Sequence, residues 1–392
     1  MDYKYIVIGR GIMGSAGAFH LASSISGVAL IGPSEAMGDK DSTVPKSSHN
    51  DVGRITRMLD PDPFWGSVAR RSIGRYREHE QESGVRFFNQ CGFLWMDNDP
   101  TRVNEMANLA ADEAIETARL TSACVREKFS FLSADGVSAA LYQNRESGSI
   151  NPRAYVQAMA SRAQTAGAKQ IDSMVIGIKP TSQGVTLETA GNSCLSCEKI
   201  LITTGAYGAV DHLIDRKLPL KARKTGVILI AVPRQTVESR FINMPCIISR
   251  PPPSRPNTYL LPPLKYPDGR YYLKIGIAAQ GPPVESTDEL NQWLLNGRDH
   301  DISTVLLSEL NTIIPNLNLS KWKYMPCATS HTPDARPIID IIGGGRIGLL
   351  LGGNGFSAKS GDALGELGAS LMLGSTWPKT ISKSDLSLAR FS

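Results

Sequence analysis

The chain has 392 residues, of which 41% are hydrophobic and 20% charged, an ordinary globular composition with enough length for two or three domains. Its net charge of +5 and the dispersal of its Lys and Arg residues exclude a nucleic-acid-binding footprint and only mildly favour anionic substrates or cofactors. The sequence has no apolar run near roughly 20 residues, no signal-peptide pattern and only six cysteines, which predicts a reduced cytoplasmic protein without a membrane span.

The N-terminal residues predict a βαβ unit. Apolar runs over residues 5–8 and 28–31 indicate buried parallel strands, and a glycine-rich turn and a helix stand between them. In this turn Gly9 permits the tight bend, Gly11 lets the backbone approach phosphates, and Gly14 lets the helix pack closely on the strand. The N–H groups at the start of the helix favour an anion, so the unit predicts a dinucleotide, either NAD or FAD.

One part of this pattern is missing at the end of the second strand. An acidic residue usually stands there and binds the adenosine ribose, but this chain has Gly32, followed by Pro33, Ser34 and Glu35. Either Ser34 or Glu35 could reach the ribose from the loop. A Glu35 that is simply solvated is equally compatible with the sequence.

The rest of the chain contains segments of mixed helices and strands, interrupted by a region of strands and proline clusters. In chain order we predict a polar loop over residues 33–63, a helix over 64–82, a hairpin over 87–96, helices over 102–119 and 152–166, strands over 175–178, 184–187 and 199–205, strands between proline clusters over 219–323, strands over 337–340 and 347–351, and a helix over 356–373. This order predicts an α/β fold with a discontinuous nucleotide-binding domain, whose segments are 1–85, 150–218 and 325–392. A second domain, built on a mixed sheet, is expected over 86–149 and 219–324.

Three further motifs carry a family resemblance. They are Thr203-Thr204-Gly205-Ala206 at a strand end, Thr332-Pro333-Asp334 with the residues to Asp340, and the glycine-rich run Gly352-Gly353-Asn354-Gly355-Phe356-Ser357-Ala358-Lys359. With the N-terminal turn, in this order and over nearly the whole chain, they resemble the FAD-dependent oxidoreductases that include D-amino-acid oxidase, monomeric sarcosine oxidase and glycine oxidase. The resemblance implies a Rossmann-like FAD-binding domain of the glutathione-reductase type, a second domain on a large mixed β-sheet, and FAD rather than NAD.

In detail the chain most resembles the monomeric sarcosine oxidases. The resemblance implies that Arg54 lies near the flavin and that Arg57 and Lys359 hold the substrate carboxylate. It implies that Lys274 lies over the flavin ring and acts in oxygen activation. Cys327 stands where those enzymes bond the flavin covalently, so FAD is either non-covalent or linked through this cysteine.

The same resemblance implies a set of contact residues. The cofactor is expected to contact Gly9, Gly11, Ile12, Met13, Gly14, Ser34, Ser48, His49, Arg54, Val175, Thr204, Gly205, Cys327, Gly353, Asn354, Gly355, Phe356 and Ser357. The substrate pocket is expected to include Thr329, His331 and Phe356. Thr329 stands where glycine and D-amino-acid oxidases have arginine, and Phe356 and Ala278 stand where sarcosine oxidases have histidine. Sarcosine itself and simple D-amino acids are therefore not the expected substrates.

Physical chemistry supports these roles and leaves alternatives for each cation. A guanidinium and an ammonium hold a carboxylate well, and a lysine in an apolar strand requires a partner, which a flavin or its oxygen adduct would supply. However, Arg54 could form a salt bridge within its loop, Arg57 could be a surface arginine, and Lys274 could extend from an edge strand into solvent. Cys327 could be an inert thiol.

The sequence thus predicts an FAD-dependent oxidoreductase that oxidises a C–N bond of an amino acid or secondary amine by hydride transfer to flavin N5. The alternatives are a flavoprotein dehydrogenase of the glycerol-3-phosphate or 2-hydroxy-acid type, an FAD-bound interaction module without catalysis, and a nicotinamide dehydrogenase. The expected partners are a small anionic substrate and oxygen or another electron acceptor, with the chain a monomer or weak dimer. No metal site is expected, since Cys194 and Cys197 form a lone C-x-x-C pair.

Overall fold

A computed structural model describes residues 1–34, 46–211, 213–277 and 281–391. Within these ranges the strands are β1 Tyr3–Ile8, β2 Val28–Ile31, β3 Arg54–Thr56, β4 Phe88–Asn89, β5 Phe93–Asp97, β6 Ala118–Thr121, β7 Ala139–Gln143, β8 Gly148–Ile150, β9 Lys169–Ile171, β10 Val175–Pro180, β11 Val185–Thr189, β12 Cys194–Ile202, β13 Lys221–Val232, β14 Cys246–Arg250, β15 Thr258–Lys265, β16 Tyr271–Ile277, β17 Pro283–Val284, β18 Trp322–His331, β19 Ile338–Ile342 and β20 Ile347–Leu351. The α-helices are α1 Ile12–Ala22, α2 Pro63–Ile73, α3 Tyr76–Ser83, α4 Pro100–Asp112, α5 Ser122–Lys128, α6 Pro152–Thr165, α7 Arg234–Arg240, α8 Thr287–Asn296, α9 His300–Ile313 and α10 Ser357–Leu373, with short 3₁₀ turns at Tyr207–Ala209, Ser384–Leu386 and Leu388–Phe391.

The first sheet carries the glycine-rich turn. Its parallel strands lie in the order β20, β12, β1, β2 and β9, and β10, β11 and β19 extend it antiparallel. Tyr5 and Val7 of β1 face a core formed with α1, α2 and α10, whereas Ile6 and Ile8 face a second core formed with β10 and β11. Because both faces are covered, these strands are continuously apolar, and the carboxyl ends of β1 and β2 open towards the turn.

The second sheet has nine strands and supports the other side of the site. Its order is β17, β13, β16, β15, β14, β5, β7 and β6, with β18 on the free side of β13, and only the β5–β14 pairing is parallel. Helices α5 and α9 contribute to a core on one face. The predicted α/β class with a large mixed sheet is confirmed. Strand β18 continues to His331, beyond residue 325, and the domain boundaries stay a prediction.

The segment of residues 51–60 contains β3, which joins β8 and β4 in a small three-stranded sheet. Arg54 of β3 pairs with Ile150 of β8. Gly53, just before β3, packs against the second sheet so closely that a Cβ there would lie 2.5 Å from the side chain of Leu264. The segment is thereby held against β15 at one end and runs into α2 at the other.

Two predicted helices differ from the structure. The helix expected over residues 64–82 is interrupted at Gly74 and forms α2 and α3. The helix expected over 102–119 ends at Asp112, because Ala114 adopts a left-handed φ of 54° and the Ile115 N–H bonds to the Ala110 carbonyl, a Schellman arrangement. The segment from Ala118 then forms an edge strand.

The hairpin expected over residues 87–96 is also wrong. Strand β4 pairs with β8, whereas β5 lies between β14 and β7 in a different sheet. Apolar patterns mark strands but do not name their partners, so two short neighbouring strands were assigned to each other. The loop expected over residues 33–63 likewise contains β3.

The described residues contain neither a candidate membrane span nor a candidate metal site. None of the helices in this part of the chain combines the length and hydropathy that a membrane span requires. Nor do three or more His, Cys, Asp or Glu side chains in the described ranges converge as metal ligands would.

Candidate active site

The glycine-rich turn joins β1 to α1 without room for side chains. Gly9 has a φ of 113°, and a Cβ on Gly14 would overlap the Gly9 carbonyl. Gly11 is different, because the nearest atom to its added Cβ is the His49 Nδ1 at 3.8 Å. Gly11 is also the N-cap of α1, and no side chain in the described part of the chain caps this helix. The first N–H groups, at Ile12 and the residues after it, are therefore directed towards an open site suited to pyrophosphate.

The other predicted cofactor segments lie beside this turn. The Thr203 hydroxyl donates to the Gly9 carbonyl at 2.9 Å, which places the adjacent Thr204 and Gly205 near the turn. On the opposite side, the Ser357 hydroxyl lies 3.8 Å from the Met13 sulfur. The glycine-rich loop of residues 352–359 and the segment of residues 203–206 therefore both border the glycine-rich turn.

Space and an unused hydroxyl test whether these residues fit FAD. Among the described residues the buried Thr204 Oγ1 finds no hydrogen-bond partner. Gly205 and Gly355 have φ angles of 60° and 79°, and no atom of the described chain lies within 4 Å of a Cβ built on either. A buried donor and two open backbone surfaces beside a phosphate-binding turn fit a bound dinucleotide such as FAD.

The glycine-rich loop is tied to the Thr-Pro-Asp segment through Asn354. Its Oδ1 accepts the backbone N–H of Thr332 at 3.0 Å, and its own N–H donates to the Ser330 carbonyl at 2.8 Å. Asn354 adopts a left-handed φ of 50°, which allows the sharp turn between Gly353 and Gly355. These bonds fix the loop to the end of β18.

The structure places an acidic residue near the end of β2, where the expected ribose-binding carboxylate is missing. Asp172 follows β9, which lies parallel to β2, and its carboxylate accepts the Ser34 backbone N–H at 2.6 Å. This hydrogen bonding lowers the Asp172 pKa. Sequence reasoning missed this residue because it looked only at the end of β2. Glu35 lies outside the described residues, and Val175 is buried beneath the parallel strands.

A first buried cluster surrounds Lys274. The Lys274 Nζ donates to the Asp51 carboxylate at 2.6 Å and to the Gly53 carbonyl at 2.7 Å. Asp51 also pairs with Arg54 and accepts the Tyr266 hydroxyl at 2.9 Å. Burial, assisted by the Arg54 charge, lowers the pKa of Lys274, while the ion pair with Asp51 favours its protonated form.

This arrangement settles two questions about Lys274. Strand β16 lies between β13 and β15, and the lysine is only 1% exposed, so extension from an edge strand into solvent is excluded. The protein itself provides a carboxylate partner, which the sequence interpretation had left to the flavin. The positive charge of Lys274 is therefore balanced by Asp51 and does not require the cofactor.

A second buried cluster contains Arg57 and Lys359. Both donate to the same Asp60 Oδ2 atom, Arg57 at 2.9 Å. Arg57 also lies over the Phe93 ring, and Lys359 over the Phe356 ring. Because all three charged residues are at most 7% exposed, Arg57 is not a surface arginine.

The pKa values in this second cluster move in the directions expected of a buried triad. Burial and the Arg57 charge lower the pKa of Lys359 to about 8, although Asp60 acts against this shift. Burial raises the Asp60 pKa, but the charges of Arg57 and Lys359 outweigh it and lower the pKa below its ordinary value. At neutral pH the triad therefore carries two positive charges and one negative charge.

Sequence reasoning found the cations of both clusters and missed their carboxylates. The signal was present as an even spacing, Asp51-x-x-Arg54-x-x-Arg57-x-x-Asp60. Each acidic residue stands three positions from an arginine, and each pairs with that arginine in the fold. This spacing is short enough for contact in an irregular segment and could have been noted.

Cys327 lies on β18 close to the first cluster. Its sulfur is 3.5 Å from an Arg54 guanidinium nitrogen, and the Ser48 hydroxyl donates to the carbonyl of the next residue, Ala328, at 2.5 Å. His49 follows Ser48 and is buried. Burial, together with the charges of Arg153 and Arg54, lowers its pKa to about 4, so it is neutral at pH 7.

The predicted pocket residues occupy two places. Cys327, Thr329 and His331 alternate along one face of β18, and the Thr329 hydroxyl and His331 Nε2 are 2.7 Å apart. Burial and the Arg223 charge lower the His331 pKa. Phe356 instead belongs to the second cluster and packs against Trp65, with ring centroids 4.8 Å apart. Ala278 lies outside the described residues.

Comparisons with known proteins identify the family. Residues 4–371 match the model of the family described as FAD dependent oxidoreductase. The chain is 27% identical over 344 residues to monomeric sarcosine oxidase from Streptomyces avermitilis, covering 86% of this chain and 84% of that protein. It is 24% identical to N-methyl-L-tryptophan oxidase from Yersinia pestis over the full length of both.

A solved structure supports the same fold. L-proline dehydrogenase from P. horikoshii superimposes with a TM-score of 0.79 at 21% identity, covering 100% of this chain and 98% of that one. The predicted family and the choice of FAD over NAD are confirmed. The chain belongs to the FAD-dependent oxidoreductase family, and FAD is its cofactor.

Proposed function

We propose that this enzyme oxidises a C–N bond of an amino acid or secondary amine that carries a carboxylate. The observation that carries this proposal is that Arg57 and Lys359 both donate to one oxygen of the buried Asp60 carboxylate, which shows that the two cations can bind a single carboxylate together. A guanidinium and an ammonium placed in this way suit a substrate carboxylate. The names of the two relatives, a sarcosine oxidase and an N-methyltryptophan oxidase, refer to substrates of this class.

Some residues of the chain would bind the cofactor and the substrate, and others would stabilise the charge that develops in the reaction. The glycine-rich turn and the start of α1 would hold the pyrophosphate of FAD, and FAD, when bound, supplies the hydride acceptor at its N5 atom. Arg57 and Lys359 would orient the substrate carboxylate, and orientation is the main requirement for hydride loss from carbon. Arg54 and Lys274 would add positive charge where electron density accumulates.

The decisive experiment is anaerobic bleaching of the flavin absorption by a panel of compounds. The panel pairs N-methyl, cyclic and primary amino acids with the amines that lack their carboxylate, and adds 2-hydroxy acids and glycerol 3-phosphate. We expect bleaching by at least one carboxylated amine, at a kcat/KM at least about tenfold above its decarboxylated counterpart, since charge-assisted hydrogen bonds contribute about 1.5–3 kcal/mol each. Bleaching by hydroxy acids but no amine, or by dithionite alone, would reject the proposal.

A matched pair of variants tests the carboxylate role. Arg57→Ala should abolish the preference for the carboxylated compound. Arg70→Ala should retain it, because Arg70 lies on α2 and pairs with the partly exposed Glu113. An unchanged preference in Arg57→Ala would contradict the role given to this arginine.

A further inference from the structure

Two cysteine thiols lie in contact near the first cluster. Cys91 is half-buried just before β5, Cys246 is fully buried at the start of β14, and their sulfurs are 3.9 Å apart. The parallel pairing of β5 with β14 brings them together, since the Cys246 N–H donates to the Gly92 carbonyl at 3.0 Å. All six cysteines lie within the described residues, and no other two of their sulfurs are in hydrogen-bond contact there.

We propose that Cys91 and Cys246 are a redox-modification site, at which hydrogen peroxide oxidises the two thiols to a reversible disulfide. The sulfurs must approach by about 1.9 Å to reach the bond length of about 2.0 Å. Cys91 is at the end of a loop segment after β4, with Gly92 at a φ of 84°, so the movement falls on a short connection between strands.

The geometry gives the two thiols different roles. Cys91 is the more exposed, and the hydrogen bond from the Cys246 thiol lowers its pKa, whereas burial raises the pKa of Cys246 well above its usual value. Because the thiolate is the nucleophile, Cys91 reacts first and Cys246 resolves the product.

The chemistry balances with hydrogen peroxide as the only oxidant. The Cys91 thiolate attacks one peroxide oxygen and breaks the O–O bond, which leaves a sulfenic acid on Cys91 and releases hydroxide, protonated to water. The Cys246 sulfur then attacks the Cys91 sulfur and displaces the hydroxyl group, which takes the Cys246 proton and leaves as a second water. Two thiols lose two electrons and two protons, and one peroxide becomes two waters.

The position of the pair relative to Lys274 suggests where peroxide comes from. The Lys274 charge acts on the Cys246 thiol and opposes the effect of burial on its pKa. If oxygen accepts the electrons, peroxide is released in the neighbourhood of this lysine. That source rests on the proposed function, whereas the thiol reaction itself is tested with added peroxide.

The test treats the FAD-loaded enzyme with hydrogen peroxide in the absence of any amine. Remaining thiols are then alkylated under denaturing conditions and the peptides are mapped by mass spectrometry without reduction. We expect two of the six thiols to disappear, one cross-link between the Cys91 and Cys246 peptides, and recovery of both thiols with dithiothreitol. Oxidation of other cysteines while these two stay open to alkylation would overturn the proposal.

Variants separate the two roles. Cys246→Ala, which suits the buried position, should lack the cross-link and accumulate a sulfenic acid on Cys91 that dimedone traps. Cys91→Ser should leave Cys246 reduced, and the control Cys124→Ser, at an exposed cysteine, should form the disulfide like the unaltered enzyme. Flavin absorption and thermal melting establish that each variant is folded.

Two further outcomes have defined meanings. Peroxide oxidation of Cys246 in the folded Cys91→Ser variant would refute the assignment of Cys91 as the first thiol. A protein that forms the Cys91–Cys246 disulfide with added peroxide but bleaches with no amine would overturn the proposed function and leave the thiol site standing.

Discussion

Replacing Asp60 by Asn tests whether one buried carboxylate holds the two cations that we propose bind the substrate. Asp60 is 2% exposed and accepts hydrogen bonds from Arg57, Lys359 and the Asp62 backbone N–H. Asparagine keeps the size and one acceptor oxygen, but it removes the negative charge between the cations. The charge of the cluster thereby changes from +1 to +2 in a site that water hardly reaches.

The cost of this change can be worked from the burial. Removing one partner of a buried ion pair destabilises a protein by about 3–5 kcal/mol. Part of this cost is avoided because Lys359, whose pKa is already lowered to about 8, can lose its proton, and each pKa unit corresponds to about 1.4 kcal/mol. We therefore expect the free energy of unfolding to fall by about 3 kcal/mol.

The same substitution should favour anions. An added carboxylate that binds beside Arg57 and Lys359 then meets a cluster charge of +2 instead of +1, and it accepts charge-assisted hydrogen bonds worth about 1.5–3 kcal/mol. Its affinity should therefore rise by about 10- to 100-fold. Because ligands that bind only the folded state stabilise it, acetate should raise the melting temperature of Asp60→Asn more than that of the unaltered enzyme.

The assay is thermal unfolding of the FAD-loaded protein across a series of acetate concentrations, with acetate affinity measured from the flavin spectrum. Asp62→Asn is the matched control, because Asp62 lies in the same loop, is partly exposed and pairs with Arg336. Asparagine preserves its N-cap bond to Trp65, and such a pair contributes about 0–1 kcal/mol. If Asp60→Asn melts like the control and binds acetate no more tightly, the reasoning about the cluster is refuted.

Four other predictions concern the cofactor and the remaining cations. Gly11→Ala should fold but bind FAD weakly, because its Cβ has room in the protein but projects into the proposed phosphate site. Gly14→Ala should fail to form the turn, and full FAD content in either purified variant would contradict this reasoning. Carboxylate binding should weaken as the pH rises through about 8, because the lowered pKa of Lys359 means that this lysine loses its positive charge near that pH. In Lys359→Met, the Kd for a carboxylate should not change with pH in this range. Lys274→Met should retain FAD but reoxidise more slowly with oxygen in stopped-flow measurements, and unchanged reoxidation would exclude its role in oxygen activation. We expect FAD to be non-covalent, so acid precipitation should leave the yellow colour in the supernatant; colour that stays with the protein but not with Cys327→Ser would demonstrate the covalent link.

The sequence was most informative where structure depends on local geometry. The steric need for glycine at Gly9 and Gly14 is a property of one turn, and the strands around it are apolar because helices and strands cover both sheet faces. The helix predicted over residues 152–166 is α6, and it is capped locally, because the Asn151 side chain accepts the N–H groups of the following residues. Such signals need no knowledge of distant parts of the chain.

The sequence was least informative where a contact joins distant residues. One of the two partners of β5 is β14, about 150 positions away, and no local pattern favours β14 over the neighbouring β4 as that partner. Lys274 shows the same limit, because a lysine in an apolar strand indicates that a partner exists without naming Asp51. The position of Asp172 beside β2 likewise follows from the order of strands in the sheet.

The two clusters together explain how three buried cations and the partly buried Arg54 are tolerated in one region. Isolated buried charges are costly, and they persist when paired and hydrogen-bonded. The segment from Asp51 to Asp60 supplies one carboxylate at each end, each shared by an arginine of the segment and a lysine from elsewhere in the fold. Each cluster therefore keeps one unbalanced positive charge, one beside the proposed substrate carboxylate and one where the electrons would arrive. A single ten-residue segment, from Asp51 to Asp60, sets the net charge of both clusters. A displacement of this segment that alters substrate binding should therefore also alter the reactivity of the reduced enzyme with its electron acceptor.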